Sequence, residues 1–186
     1  LVYSLLFEDS KKITKWSKNF PSAKKNNNYL NFIASHDGIG MRPIEGILDN
    51  NTKKKFFQRL KKNGGEFSFR KILGKGKNVY EANITLFNAF KKSNIDKNGK
   101  FGFERYFAAH SIMMSFEGVP AIYFNSIFGN SNDNSKYIIS GNKRDLNRYR
   151  WNSLKLENHL KDKKSKQNKY YVNMINLLKI RNKQKA

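Results

Sequence analysis

The segment from Tyr29 to Gly40 constrains the fold of this chain more than any other part of the sequence. A short, partly alternating apolar run ends in His36 and Asp37, and the turn residues Gly38 and Gly40 follow. Such a run predicts a short buried strand. In α/β barrels the carboxyl ends of buried parallel strands carry the chemistry, so Asp37 is a candidate functional carboxylate. A plain structural role, in which Asp37 only caps the strand end, fits the same pattern.

A second apolar strand is predicted from Ala121 to Phe124, directly after the turn residues Gly118 and Pro120. The strongly apolar segment between the two strands, Phe103 to Phe116, has helical character. Two apolar strands joined by a crossover helix predict a parallel pair in an α/β fold. Two strands cannot cover their own faces and edges, so the pattern indicates part of a larger barrel or sheet.

Capping residues and apolar periodicity predict the remaining elements. Further helices are expected at about 9–20, 51–62, 85–92, 153–161 and 164–181. Two short strands, 66–73 and 77–84, are expected to flank a turn at Gly74-Lys75-Gly76, and a polar loop is expected from Asn130 to Arg148.

The formal net charge of +23 indicates two possible kinds of surface. Such an excess is typical of proteins that bind nucleic acid or an anionic membrane. The lysines are however spread over nearly every segment and are locally dense only near 161–169 and 179–185, which favours ordinary solvated positions. This dispersal disfavours nucleic acid as a partner. A basic nucleic-acid-binding module is the alternative interpretation.

Cysteine usage and the first residues bear on the compartment. The chain has no cysteine, which excludes disulfides and thiolate metal sites and fits a reducing cytoplasm. The apolar start, Leu1 to Phe7, is too short to span a membrane and lacks a basic leader, so we expect the tail of a helix there. We expect a cytoplasmic protein without a membrane partner.

Two motifs resemble ligand-binding loops without completing them. In the calcium-like segment that starts at Asn94 and includes Asp96, the closing acid, Glu104, comes one residue early and Arg105 takes the bidentate position. The segment 74–77 has glycines and lysines without the spacing of a phosphate-binding loop. We therefore expect no metal and no cofactor.

Several separated motifs, taken together, resemble one family: the sucrose phosphorylase-like subgroup of the α-amylase superfamily, glycoside hydrolase family thirteen. The motifs are Ala34-Ser35-His36-Asp37-Gly38-Ile39-Gly40-x-Arg42-Pro43-x-Glu45-Gly46, Tyr80-Glu81-x-Asn83-Ile84, Ala109-x-x-Ile112-Met113-x-Ser115-x-x-Gly118-Val119-Pro120-x-Ile122-Tyr123-Phe124 and Arg144-x-x-Asn147-Arg148. They occur in the family's order and extend over almost the whole chain.

The resemblance implies a fold of class α/β, the C-terminal part of a (β/α)8 TIM barrel. Residues 30–35 would be its seventh strand and residues 121–124 its eighth. It also implies that residues 1–186 form a partial catalytic domain, since no acid here matches the family's nucleophile or its acid/base glutamate. The earlier part of the barrel and the family's C-terminal β domain would be absent, and a fragment alone would be inactive. A remnant of a decayed gene is a further alternative.

The resemblance also implies roles for individual residues. Asp37 would be the aspartate that stabilises the transition state of a retaining glucosyl transfer to phosphate, which yields glucose 1-phosphate. His36 would bind the sugar, and Arg144, or failing that Arg148, would reach the far side of the glucose. Tyr80 and Glu81 would belong to a mobile acceptor loop.

The substrate implied is a sugar whose acceptor part is bound near Arg42. The loop that contains Arg42 resembles relatives that act on glucosylglycerate or phosphorylated sucrose more than those that act on sucrose. An arginine here would suit an anionic acceptor or phosphate. A helix cap or a salt bridge from Arg42 to Glu45 is the plain structural alternative.

Overall fold

The computed structural model describes residues 1–72 and 76–184, and these form a mixed α/β structure. The helices are α1 (Val2–Phe7), α2 (Lys11–Lys18), α3 (Asn50–Lys62), α4 (Leu86–Lys91), α5 (Gly102–Ser115), α6 (Phe124–Ile127), α7 (Asn134–Ser140), α8 (Ser153–Lys161) and α9 (Lys166–Lys183). The strands are β1 (Leu30–Asn31), β2 (Ile39–Gly40), β3 (Glu66–Ile72), β4 (Gly76–Asn83) and β5 (Val119–Pro120). Two 3₁₀ turns cover Arg42–Ile44 and Lys143–Asn147. No helix among these residues is both long and apolar enough to cross a bilayer.

The predicted parallel pair is present as β1 and β5, with Leu30 opposite Val119. Both strands are shorter than predicted. The second prediction was also wrong in position, because β5 lies before the predicted range 121–124. The ladder ends after the amide of Ala121, which donates to the carbonyl of Asn31 at 2.8 Å. The chain then turns at Tyr123 into α6, so Phe124 is helical. The exposed side chains of Leu30, Phe32, Val119 and Phe124 leave this pair with an uncovered apolar surface.

A three-stranded antiparallel sheet, in the order β2-β4-β3, stands beside the parallel pair. The strands β3 and β4 confirm the predicted hairpin, whereas Gly74 and Lys75 of the predicted turn lie outside the described residues. Strand β2 was not predicted; it places Gly40 opposite Glu81. The sheet therefore brings β4 alongside the chain that leaves Asp37.

The hydrophobic core extends from α1, α3 and β4 to the place where α4, α5 and α9 meet. Phe90, Tyr106 and Met174 are fully buried there. The ring of Tyr170 contacts that of Tyr106 edge-on at 5.0 Å between centroids. Burying one large apolar side chain contributes about 1.5–3 kcal/mol, so these residues hold the helices together and give the β1–β5 connection its fixed course.

The predicted polar loop from Asn130 to Arg148 is wrong, because it contains α7 and a 3₁₀ turn. Asp133 caps α7 by accepting a hydrogen bond from the amide of Lys136, and Gly141 ends it in the left-handed conformation. Ile138 and Ile139 on α7 are exposed, so the segment lacks the apolar periodicity that identifies an amphipathic helix. Local caps and not burial therefore define this helix.

The calcium-like segment is a structural turn closed by Asp96. Its carboxylate accepts the amides of Gly99, Lys100 and Phe101 and a guanidinium hydrogen bond from Arg105 at 2.8 Å. These hydrogen bonds, the one from Phe101 foremost, lower the pKa of Asp96 to about 2. The carboxylate oxygens are already occupied by protein donors, and the described residues hold no group of three or more acidic or histidine ligands that fits a metal.

Replacing the arginine of this turn is expected to destabilise the chain. Arg105 is buried and also donates to the carbonyls of Phe90 and Lys91. Arg105→Ala leaves those acceptors unpaired, and we expect a loss of about 3 kcal/mol in the free energy of unfolding. Urea denaturation measures it, with the exposed Arg150→Ala as the control. Equal midpoints for the two variants would contradict the role given to Arg105.

Candidate functional site

The turn that follows β1 fixes the position of Asp37. Ser35 and Gly38 exchange two backbone hydrogen bonds, of 2.9 and 3.1 Å, across the tight turn that contains Asp37. Gly38 has φ +120°, and a Cβ there would lie 2.1 Å from the carbonyl oxygen of Ala82 on β4. Only glycine fits such a backbone angle and such a close approach. The turn is thus packed directly against β4.

The carboxylate of Asp37 is the centre of a cluster of charged side chains. Arg148 donates to its Oδ1 at 2.5 Å, and Arg144 lies 3.4 Å from its Oδ2. The imidazole Nε2 of His36 lies 3.3 Å from Oδ1. The Asp37 side chain is 23% exposed, so one side of this partly enclosed carboxylate remains accessible to a ligand.

A second carboxylate, that of Glu81, completes the cluster through Arg144. The guanidinium Nε of Arg144 donates to Glu81 Oε2 at 3.1 Å, and its Nη2 donates to the hydroxyl of Tyr80 at 3.1 Å. The hydrogen bond to Glu81, with smaller contributions from both carboxylates, raises the pKa of Arg144 further above its ordinary value. Arg144 is therefore a permanent cation between Asp37 and Glu81.

Asn147 attaches the 3₁₀ turn that carries Arg144 to the segment that follows β1. The buried amide of Asn147 donates to the carbonyl of Ser35 at 2.6 Å, and its backbone carbonyl accepts the hydroxyl of Tyr123 at 2.9 Å. The Tyr123 ring lies 6.5 Å from that of His36, and burial raises the pKa of its phenol. Residues distant in sequence thus form one wall around His36 and Asp37.

A carboxylate held by guanidinium groups, with the exposed imidazole of His36 beside it, can bind the hydroxyl groups of a polar ligand. Carboxylates accept strong hydrogen bonds from hydroxyls, and arginine supplies several donors in a fixed plane. Such an arrangement suits the hydroxyl groups of a neutral polyol.

Comparison with known proteins decides between the families that such a site could serve. No protein-family model matches the chain. It is 32% identical, over 173 residues and 93% of its length, to a glucosylglycerate phosphorylase from Allomeiothermus silvanus. It is 30% identical over 166 residues, 89% of its length, to a glucosylglycerate phosphorylase from Escherichia coli, and 21% identical over 146 residues, 73% of its length, to a sucrose phosphorylase from Bifidobacterium adolescentis. This chain is a homologue of the sucrose phosphorylase-like glucoside phosphorylases.

The homology extends over one part of these phosphorylases. The chain spans about a third of the length of the relatives, 31%, 29% and 27% respectively. A solved sucrose 6F-phosphate phosphorylase from Thermoanaerobacter thermosaccharolyticum superposes on the whole chain with a TM-score of 0.78 and 20% identity, and the chain covers 35% of that structure. The chain therefore shares the fold of this part of that structure, and the parallel pair is consistent with part of a barrel.

The structure brings together most of the residues that the phosphorylase resemblance singled out. The side chains of Asp37, His36 and both arginines meet there. Arg148 lies closer to the Asp37 carboxylate than Arg144, which the resemblance had favoured. Tyr80 and Glu81 join them from the interior strand β4, which differs from the mobile loop that was expected.

Arg42 makes no described contact with the residues of this cluster. It is exposed on the 3₁₀ turn 42–44, and Glu45 pairs with Arg70 at 3.2 Å instead of with Arg42. Sequence reasoning also gave no role to Asn83, Tyr123 or Asn147, although all three lie inside the quoted motifs. Their position in motifs shared with the family was the signal that could have identified them.

Proposed function

We propose that this chain forms part of the glucosyl-binding site of a retaining α-glucoside phosphorylase. The observation that carries the proposal is the Asp37 carboxylate, held by Arg148 at 2.5 Å in the turn that the chain enters after β1, the strand paired in parallel with β5. Active sites of α/β barrels occupy this end of the strands. The homology to phosphorylases supports the same assignment and does not favour a nucleic-acid-binding function.

In this proposal Asp37 stabilises positive charge at the anomeric carbon. Its ionised carboxylate accepts hydrogen bonds from ring hydroxyls, and these strengthen as oxocarbenium character develops, contributing several kcal/mol. Arg144 and Arg148 hold the carboxylate in one orientation, so little reorganisation accompanies the reaction. His36, whose side chain is 62% exposed, is placed to bind a sugar hydroxyl next to Asp37.

Two further carboxyl groups complete the proposed reaction. A nucleophilic carboxylate bonds to the anomeric carbon while an acid protonates the departing glycosidic oxygen. Phosphate then attacks the same carbon, the ester bond to the nucleophile breaks, and glucose 1-phosphate leaves. The family resemblance matches neither group to a residue of this chain, so the proposal assigns both to polypeptide outside these 186 residues.

We propose glucosylglycerate as the sugar substrate, with phosphorylated sucrose as the second choice. Two relatives of at least 30% identity bear the name glucosylglycerate phosphorylase. The exposed guanidinium of Arg42 lies outside the internal cluster and suits the carboxylate of a glyceryl group.

The test compares activity with and without the flanking coding sequence. The 186-residue chain alone is expected to release no glucose 1-phosphate from glucosylglycerate and phosphate, because catalytic sets lose nearly all activity once one member is missing. The polypeptide that contains both this chain and the missing carboxylates is expected to be active. In it, Asp37→Asn should lower kcat by about 10³-fold.

Two outcomes bear on separate parts of this proposal. Arg150→Ala serves as the control and should leave kcat unchanged, since Arg150 is exposed away from the described contacts of Asp37. Wild-type kcat in Asp37→Asn would overturn the role of Asp37. A higher kcat/KM for sucrose than for glucosylglycerate or sucrose 6′-phosphate would overturn the substrate choice alone.

A further inference from the structure

The side chain of Asn83, at the end of β4, touches both carboxylate-bearing residues of the site. It is fully buried, with no exposed surface. Its Nδ2 donates to the backbone carbonyl of Asp37 at 2.9 Å and to Glu81 Oε2 at 2.8 Å, while its Oδ1 accepts the hydroxyl of Ser68 at 2.8 Å. Both N–H groups of the amide therefore donate to acceptors inside the site.

The chemistry of the neighbours fixes the orientation of this amide. A carbonyl oxygen and a carboxylate oxygen can only accept hydrogen bonds, so the nitrogen must face Asp37 and Glu81. The oxygen then faces Ser68, whose hydroxyl can donate. A flipped amide would place an oxygen against two other oxygens in a buried place, which is costly.

Hydrogen bonds and one ion pair link Asn83, Glu81, Arg144 and Asp37 in a closed circuit. Asn83 holds Glu81, Glu81 accepts Arg144 Nε at 3.1 Å, and Arg144 reaches Asp37 Oδ2 at 3.4 Å. Asn83 also holds the backbone of Asp37 directly, across 46 residues of sequence. The amide of Asn83 and the guanidinium of Arg144 together determine the distance between the carboxylates of Asp37 and Glu81.

We propose that Asn83 is a positioning residue that fixes Glu81, and through it Arg144, relative to Asp37. This inference rests on the proposed function for the purpose of the arrangement, since a fixed cluster keeps a defined space for the sugar. Without the amide, Glu81 loses a buried donor and its carboxylate can rotate. The guanidinium of Arg144 then moves with Glu81 or shifts toward Asp37. In either case its N–H donors are displaced from their position beside the sugar.

The test follows the Arg144 Nε–H group by NMR in the 186-residue chain, without any catalytic assay. In the wild type its proton is expected to exchange slowly with water, because it is held by Glu81. Asn83→Ala should shift this resonance and raise its exchange rate at least tenfold. An unchanged resonance and exchange rate in Asn83→Ala would overturn the proposal.

The matched control is Asn63→Ala. Asn63 is also buried, and its amide donates to two acceptors, the carbonyls of Ala89 and Lys92, away from the cluster. We expect it to lower thermal stability about as much as Asn83→Ala while leaving the Arg144 signal in place. An equal change of that signal in both variants would show a merely structural effect and overturn the positioning role.

A measurement on the wild type keeps the proposal testable if Asn83→Ala does not fold. Both side-chain amide protons of Asn83 should exchange slowly, because both are donated in a buried place. Rapid exchange of either proton would overturn the inference. Since these readouts need no turnover, they are independent of activity. If the longer polypeptide that also contains the two missing carboxylates were inactive, the proposed function would be contradicted and the role of Asn83 would stand.

Discussion

Gly38→Ala is expected to lower the free energy of unfolding by about 3 kcal/mol or more and to displace Asp37. Its Cβ would stand 2.1 Å from the carbonyl oxygen of Ala82, and both groups are backbone or attached to it, so neither can rotate away. The φ of +120° adds strain for any residue with a side chain. The turn and β4 must separate to admit the methyl group.

Alanine substitutions at two other glycines distinguish the steric clash at Gly38 from its backbone strain. Gly46 has φ +79° but open space around it, so Gly46→Ala should cost about 1 kcal/mol from backbone strain. Gly40 has neither a positive φ nor a close neighbour, and Gly40→Ala should change stability little. Urea denaturation of the three variants measures the order. A cost for Gly38→Ala that equals that of Gly46→Ala would show that β4 does not restrain the turn.

Acidification is expected to destabilise the chain through His110, which lies in the core on α5. Burial lowers the pKa of His110 to about 4, and the ring Nδ1 lies 2.8 Å from the carbonyl of Tyr106, to which a neutral ring donates. In the unfolded chain the pKa of a histidine is about 6.5. Between these values the unfolded state binds the extra proton, so stability falls as the pH drops from about 6.5 to about 4. The total loss is about 3 kcal/mol.

His110→Gln isolates this contribution, because glutamine keeps a donor and does not titrate. Its free energy of unfolding should be lower than that of the wild type at pH 7, since the packing of the ring is lost. Between pH 6.5 and 4 the free energy of unfolding of His110→Gln should fall by about 3 kcal/mol less than that of the wild type. Urea denaturation at several pH values gives both profiles. Parallel profiles would contradict the assignment of this pH dependence to His110.

Local signals in the sequence predicted the longer helices and the β3–β4 hairpin well. The helix 153–161 has the predicted bounds, since Asn152 caps it and the pattern is complete within the segment. The helix α7 was missed because its exposed isoleucines resemble no amphipathic pattern. The position of β5 was missed because backbone pairing with Asn31, and not apolar content, determines where that strand lies.

The members of the candidate site were easier to predict than their contacts. Motif resemblance identified Asp37 and both arginines, but the hydrogen bond between Asp37 and Arg148 joins residues 111 positions apart. No local pattern determines which of two nearby arginines makes the shorter contact. The same holds for Glu45, which pairs with Arg70 on β3 and not with its neighbour in sequence. Such choices depend on how the sheet and the 3₁₀ turns pack.

The charges at the centre of the site have a consequence for what can enter it. Asp37 and Glu81 together carry two negative charges, and Arg144 and Arg148 carry two positive ones. The cluster is therefore locally neutral inside a chain whose net charge is +23. A glucose ring can replace water there without upsetting this balance. An anion receives no surplus positive charge from the cluster itself and has to be neutralised by cations farther out.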